Sequence, residues 1–228
     1  MILVVAAMKR ELEGPFGMNR AESNSPEFKF SYTGMGKDMV KKKFRAGRGG
    51  SKLDGVMSVG FAGSIDPELG SGETCLVEHV QTPSSDRYYT ADERLFGLLL
   101  DVEGMRAADL VSVEDTVTSV EEKMNLAHEF DAQMIDQESY WVAEFAETED
   151  VPFVGIRVIY DEIDQELPPS GLYEGKTGQV RAEKVLNWLM RDPRQLFSLP
   201  RLGVRSLIAR GKLSRAVEDS LRVLGEVG

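Results

Sequence analysis

The chain has 228 residues, with 27 Lys and Arg against 38 Asp and Glu, a net charge of −11, 42% hydrophobic residues and one cysteine. So acidic a molecule repels phosphate backbones, which excludes nucleic acid as its main partner; a single thiol excludes an internal disulfide, and no apolar run nears the roughly eighteen residues of a membrane span. Met1 to Ala7 has no basic region before its apolar run and no cleavage-type segment after it, so a cytoplasmic location is expected.

In chain order, Ile2 to Ala7 and Phe28 to Thr33 read as strands, Asp38 to Ala46 as a helix, and Val56 to Gly60 and Thr74 to Val80 as strands. A helix follows over Thr90 to Leu100, then a strand over Asp109 to Val113. Next come a helix over Ser119 to Glu129, with Ser119 and Glu122 spaced as a capping box, a short strand over Gln133 to Ile135, a helix over Glu138 to Glu147, and a strand over Phe153 to Ile159. Near-continuous apolar strands alternating with helices predict a single α/β domain whose central sheet is covered on both faces. Metal chemistry is poorly supplied. Cys75 and His79 lie four apart on a predicted strand, hence about 13 Å apart on one face, and His128 is remote in sequence, so no metal site is expected and Cys75 reads as a core residue.

The end of the chain differs. Residues 191–228 carry eight basic and four acidic side chains, +4 against −15 for the remainder, with Leu196, Phe197, Leu199, Leu202, Val204, Leu207, Ile208 and Leu213 among the arginines. A catalytic domain over 1–190 and a basic amphipathic helical extension over 191–228 are expected. Two readings of the extension stand: a solvated helix packed on the domain, or a segment resting on an anionic lipid surface.

In open α/β sheets, ligands sit beyond the carboxyl ends of the strands. Five junctions there stand out: Ala7-Met8-Lys9-Arg10-Glu11, Thr33-Gly34-Met35-Gly36-Lys37, Gly60-Phe61-Ala62-Gly63-Ser64, Ile135-Asp136-Gln137-Glu138-Ser139, and Ile159-Tyr160-Asp161. The glycines let a backbone approach a ligand closely. Asp136, Glu138 and Asp161 put three acids at one cleft, where crowding raises at least one pKa and creates a proton donor; Arg157, four residues before Asp161 on the same strand, is the expected restraining cation. The competing reading is a set of surface ion pairs.

Taken together and in order, these junctions resemble those of the nucleoside phosphorylase/nucleosidase superfamily, in particular its methylthioadenosine/S-adenosylhomocysteine nucleosidase branch. Val151-Pro152-Phe153-Val154-Gly155-Ile156-Arg157-Val158-Ile159-Tyr160-Asp161 carries the match furthest, and the cover is residues 1 to about 165. Leu167-Pro168-Pro169, Arg191-Asp192-Pro193-Arg194-Gln195-Leu196 and the Arg- and Leu-rich end are similar to the tail of hopanoid-associated phosphorylases, which act on adenosylhopane.

The resemblance implies a phosphorylase-type fold with a central mixed sheet, a homodimer or higher homo-oligomer, no cofactor, and cleavage of the N-glycosidic bond of an adenine nucleoside. Asp161 then matches the general acid toward N7 of the purine, and Glu11 and Arg157 match the pair near the incoming water. Glu138 matches the acceptor of the ribose hydroxyls, with Asp136 and Gln137 beside it. Thr116, Val117 and Thr118, together with Phe61, Ala62 and Gly63, match the base side. Lys9 and Arg10 stand where the hydrolases carry acids; with Gly34 and Gly36 they form the expected site for phosphate or water, phosphate being co-substrate if the enzyme is a phosphorylase. Phosphorolysis of a 5′-substituted adenosine such as adenosylhopane is the expected reaction. Hydrolysis of methylthioadenosine or S-adenosylhomocysteine is the nearest alternative, and a non-catalytic nucleoside-binding protein is the alternative of another class. The lipid-linked substrate would give the basic extension a peripheral membrane contact.

Overall fold

The computed structural model describes residues 1–12, 27–46, 52–167, 173–174, 179–180 and 199–227, and the side chains of Arg10, Leu12, 173–174, 179–180, 199–205 and Val227 are outside that description. Its elements are β1 (Ile2–Ala6), α1 (Lys9–Leu12), β2 (Phe28–Tyr32), α2 (Lys37–Ala46), β3 (Gly55–Ser64), β4 (Thr74–Thr82), β5 (Ser85–Thr90), α3 (Glu93–Leu100) and β6 (Met105–Ser112). They continue with α4 (Val120–Glu129), β7 (Met134–Asp136), α5 (Ser139–Thr148), β8 (Phe153–Asp161), a small hairpin of β9 (Tyr173–Glu174) and β10 (Gln179–Val180), and α6 (Leu199–Val227). Pro168 and Pro169 of the expected Leu-Pro-Pro, and the whole Arg-x-Pro segment, fall outside the described residues.

One mixed sheet holds β1 to β8. β1 lies parallel between β2 and β3, and β3 is the hub. Along its length β3 pairs parallel with β8, while its other edge carries β1 and then, at Gly63 and Ser64, antiparallel β7. Because β8 also pairs with β4, β4 with β6 and β6 with β7, strands β3, β8, β4, β6 and β7 close on themselves, which leaves no open edge in that part of the sheet.

Both faces are covered, as the continuous apolar strands require. On one face, Tyr140, Trp141, Val142, Ala143 and Ala146 of α5 and Val40 of α2 pack against Leu3, Val5, Val56 and Val77. On the other, Leu99 of α3 and Ala209, Leu213, Ala216, Val217 and Leu224 of α6 pack against Val4, Met57, Val59, Ile156 and Val158. The spacing of the α6 residues is that of a single helical stripe, so the stretch from Ala209 to Leu224 is built into the core, and each buried aliphatic contributes about 1.5–3 kcal/mol. No helix among the described residues is long and apolar enough to cross a membrane.

Differences from expectation have local causes. β3 runs on to Ser64 because its glycine-rich end is paired on both sides, with β7 and with β8. β6 begins at Met105, recruited by parallel pairing with β4. β5, mostly exposed and polar, has no apolar alternation to announce it; it ends where a helix was expected at Thr90, and α3 starts only after Asp92, whose carboxylate accepts from Leu95 N at 2.9 Å. The capping box at Ser119 and Glu122 is present.

Candidate active site

The expected residues gather in two groups at the ends of β3, β7 and β8. The first is built around a buried ion pair. Asp136, last residue of β7, accepts from Arg157 Nε at 3.1 Å and Nη2 at 2.9 Å, and both side chains are almost wholly enclosed. Arg157 is 2% exposed and also donates to Ser58 Oγ at 2.7 Å, Ser139 Oγ at 2.7 Å and the Ile156 carbonyl at 2.8 Å. The second Asp136 oxygen takes Ser112 Oγ at 2.5 Å, and the backbone N–H and hydroxyl of Ser139 also donate to the carboxylate, so Asp136 ties down the first residue of α5. A buried charge pair survives only when its remaining donors and lone pairs are satisfied, and three serines do that here.

Glu11 and Glu138 border this pair. Glu11, 4% exposed, folds back from α1 to accept from Met8 N at 2.7 Å. A Cβ on Gly60 would lie 3.3 Å from Glu11 Oε1 and 3.8 Å from the Arg157 guanidinium carbon, so glycine is what leaves room beside both. Glu138 occupies the N-cap of α5 without capping it; its Oε1 instead accepts from Gly36 N at 2.7 Å. Gly36 and Gly34 have φ of +80° and +85°, a backbone that glycine adopts without strain. Burial, then the charges of Asp136 and Glu11, push the Glu138 carboxyl up to about 8, against the opposing pull of the Gly36 N–H and Arg157. The acid whose proton the crowding retains is therefore Glu138.

The second group is Asp161 and its surroundings, and here the expectation that Arg157 restrains Asp161 is corrected. Ala62 pairs with Ile159 but Gly63 pairs with Asp161, so Tyr160 is an extra residue in β8. That bulge undoes the alternation. Arg157 lies beside Gly60 and Asp161 beside Gly63, and three residues on a strand separate opposite faces. The cation on Asp161 Oδ2 is instead Lys123 of α4, with 0% exposure, which also donates to the carbonyls of Glu162 at 2.6 Å and Gln165 at 2.9 Å. A Cβ on Gly63 would approach Asp161 Oδ2 to 3.1 Å and Ile135 Cγ1 to 3.2 Å.

Lys123 was missed because Glu121-Glu122-Lys123 reads as a solvated run. The available signal was helical: Lys123, Leu126, Ala127 and Phe130 fall at i, i+3, i+4 and i+7, and the last three pack with Val111 and Ile135.

Of the remaining expected residues, Gln137 Nε2 donates to Thr116 Oγ1 at 2.8 Å and Thr118 O accepts from Leu167 N at 2.9 Å, fixing the 114–119 loop beside the cleft, with Val117 half-buried. The Phe61 and Tyr160 rings lie 6.0 Å apart, and Ala62 is buried. Lys9 is exposed, and the Arg10 side chain is outside the described residues. Cys75 is buried in the core, and that burial holds its thiol up at about 12, which leaves it inert at neutral pH. Among the described residues the one group of three metal-type side chains is Glu78, His79 and Asp109, with Glu78 exposed and His79 Nδ1 2.9 Å from Asp109 Oδ1.

The family model described as the phosphorylase superfamily matches residues 30–187. The chain belongs to the phosphorylase superfamily. No curated protein matches it. Among solved structures, it is similar to the futalosine hydrolase of Helicobacter pylori, at 15% identity and TM-score 0.71 with 97% of each chain covered. It is also similar to the 5′-methylthioadenosine/S-adenosylhomocysteine nucleosidases of Helicobacter pylori (15% identity, TM-score 0.69, 97% of each chain) and S. pneumoniae (13% identity, TM-score 0.69, 98% of this chain and 99% of that one). At such identities these likenesses establish the fold: an α/β domain with a mixed central sheet flanked by helices.

Proposed function

We propose that this protein cleaves the N-glycosidic bond of an adenine nucleoside and that water is the nucleophile. The observation that carries the reading is the placement of Asp161. It is 5% exposed at the end of β8, seated against Gly63 of β3 and held by a buried cation, while Gly60 of the same strand borders Glu11 and Arg157. Bond cleavage leaves positive charge on the ribose and negative charge on the purine. Asp161 delivers a proton to the purine N7, the acidic side chains favour the cationic sugar, and Glu138 exchanges the Gly36 N–H for the ribose hydroxyls. Glu11, next to Arg157 across Gly60, orients the incoming water in this reading. Family membership and the nucleosidase names of the structural neighbours support the same chemistry.

Water is favoured over phosphate by the charges. Lys123 and Arg157, the two buried cations of the site, are each committed to a carboxylate. Phosphorolysis of a lipid-linked adenosine such as adenosylhopane is the second reading. Lys9 after β1 favours it, as do Leu207 and Ile208 of α6, which are 49% and 51% exposed on a helix carrying Arg210 and Lys212. In that reading residues 191–228 make a peripheral membrane contact and the enzyme works as a homodimer in the cytoplasm. Turnover of 5′-substituted adenosines in H2¹⁸O decides between the nucleophiles. Label in the ribose without added phosphate supports hydrolysis; a strict phosphate requirement with a ribose 1-phosphate product supports the second reading.

A further inference from the structure

We infer that Lys123 is the proton reservoir behind Asp161, a positioning and charge partner without which the acid cannot load its leaving group. The inference rests on the reading of Asp161 as the acid. An ammonium has three donors, and here all three are spent: one on Asp161 Oδ2, one on the Glu162 carbonyl and one on the Gln165 carbonyl. Two of these acceptors are backbone oxygens in the turn after β8, tied into place by Gln165 N on Glu162 O at 3.1 Å. Lys123 therefore cannot swing away while the turn is intact. It is wholly buried, on the helical stripe whose Leu126, Ala127 and Phe130 pack against Val111 and Ile135. An isolated buried ammonium would be very costly, so its charge is maintained by Asp161.

The geometry balances for one proton passing along the pair. At rest Lys123 holds three protons and Asp161 is a carboxylate. As the C1′–N9 bond breaks and its electron pair moves onto the purine, Nζ passes a proton to Asp161 Oδ2, and the carboxylic acid so formed delivers that same proton to N7 and is a carboxylate again. Lys123 is left as a neutral amine whose two N–H groups still reach the Glu162 and Gln165 carbonyls and whose lone pair faces Asp161. The water that adds to C1′ yields its proton to Glu11, which releases it to solvent, and after product release Asp161 takes a proton from solvent and hands it back to Lys123, so no net charge is created. A lysine that only braced α4 against the turn would need none of this.

The discriminating experiment compares two leaving groups in the full-length wild type and in Lys123→Met and Lys123→Gln, with thermal melts to confirm folding. Adenine needs a proton to depart; the nitrophenolate of 4-nitrophenyl β-D-ribofuranoside does not. Lys123→Met is expected to lose about 10²–10⁴ in kcat/KM on the adenine nucleoside and less than about tenfold on the nitrophenyl riboside. Equal losses on both would reduce Lys123 to a structural brace and overturn the proposal, as would near-wild-type turnover of the nucleoside by Lys123→Gln. A measurement independent of turnover is infrared difference spectroscopy. With its cation removed, Asp161 should take up a proton, giving a carboxylic acid band in Lys123→Met that is absent from wild type and from the Lys123→Met/Asp161→Asn double variant. No such band would overturn the proposal. A wild type that cleaves neither substrate would defeat the nucleosidase reading alone, and the infrared result would still decide whether Lys123 sets the charge of Asp161.

Discussion

Replacing Asp136 by Asn isolates the worth of the buried ion pair. Asparagine keeps the size of aspartate, and its carbonyl oxygen at the Oδ1 position still accepts from Ser112 Oγ and the Ser139 N–H. What disappears is the negative charge facing Arg157 at 2.9 and 3.1 Å. With Arg157 2% exposed, its guanidinium cannot turn to water. Breaking such a pair costs about 3–5 kcal/mol, a large fraction of the roughly 5–15 kcal/mol that holds a domain folded, and it lowers the melting temperature of a chain this long by about 6–20 °C. Urea denaturation followed by circular dichroism measures the change, and Asp136→Asn/Arg157→Met should be more stable than Asp136→Asn alone, since the stranded charge is gone. A loss below about 1 kcal/mol in Asp136→Asn would refute the view that this pair organises the floor of the site.

Gly63→Ala pushes a methyl toward Asp161 Oδ2 and Ile135 Cγ1, so it should cost about 1–3 kcal/mol in stability and displace the acid; a fall of more than about tenfold in kcat is the expected readout. Glu138 gives a pH signature. With its carboxyl raised to about 8 by burial and by Asp136 and Glu11, the folded protein holds a proton that the unfolded chain releases near 4.5. The stability this contributes is fully present below about pH 4.5 and falls as pH rises toward 8, by at most about 1.4 kcal/mol per pH unit; Glu138→Gln should flatten that part of the profile. Leu213→Ala, which empties a fully buried site where α6 meets the sheet, should cost about 2–5 kcal/mol, whereas a helix not integral to the domain would leave the denaturation midpoint unchanged.

The fold was legible where burial is continuous. Ile2 to Ala6 and Phe153 to Ile159 are apolar at nearly every position because both sheet faces are covered, and runs of that kind cannot be placed anywhere else. β5 was not legible, since an exposed strand of Ser85-Asp86-Arg87-Tyr88-Tyr89-Thr90 exists through its pairing with β4 rather than through its own pattern. The site divides the same way. Asp136, Glu138, Asp161 and Glu11 could be located because charges interrupt apolar strand ends. Their partners could not: one extra residue at Tyr160 exchanges the face of Asp161, and a register shift in a ladder leaves no trace in composition. Arg157, expected beside Asp161, therefore pairs with Asp136, and Lys123, which no motif marks, takes its place at Asp161.

The most direct test of the whole account is adenine release from a panel of 5′-substituted adenosines in phosphate-free buffer, followed by chromatography for the wild type and Asp161→Asn side by side. The account predicts release by the wild type and a rate lower by about 10²–10⁴ in the folded variant. Release by Asp161→Asn at a near-wild-type rate, or none from any member of the panel by the wild type, would contradict it.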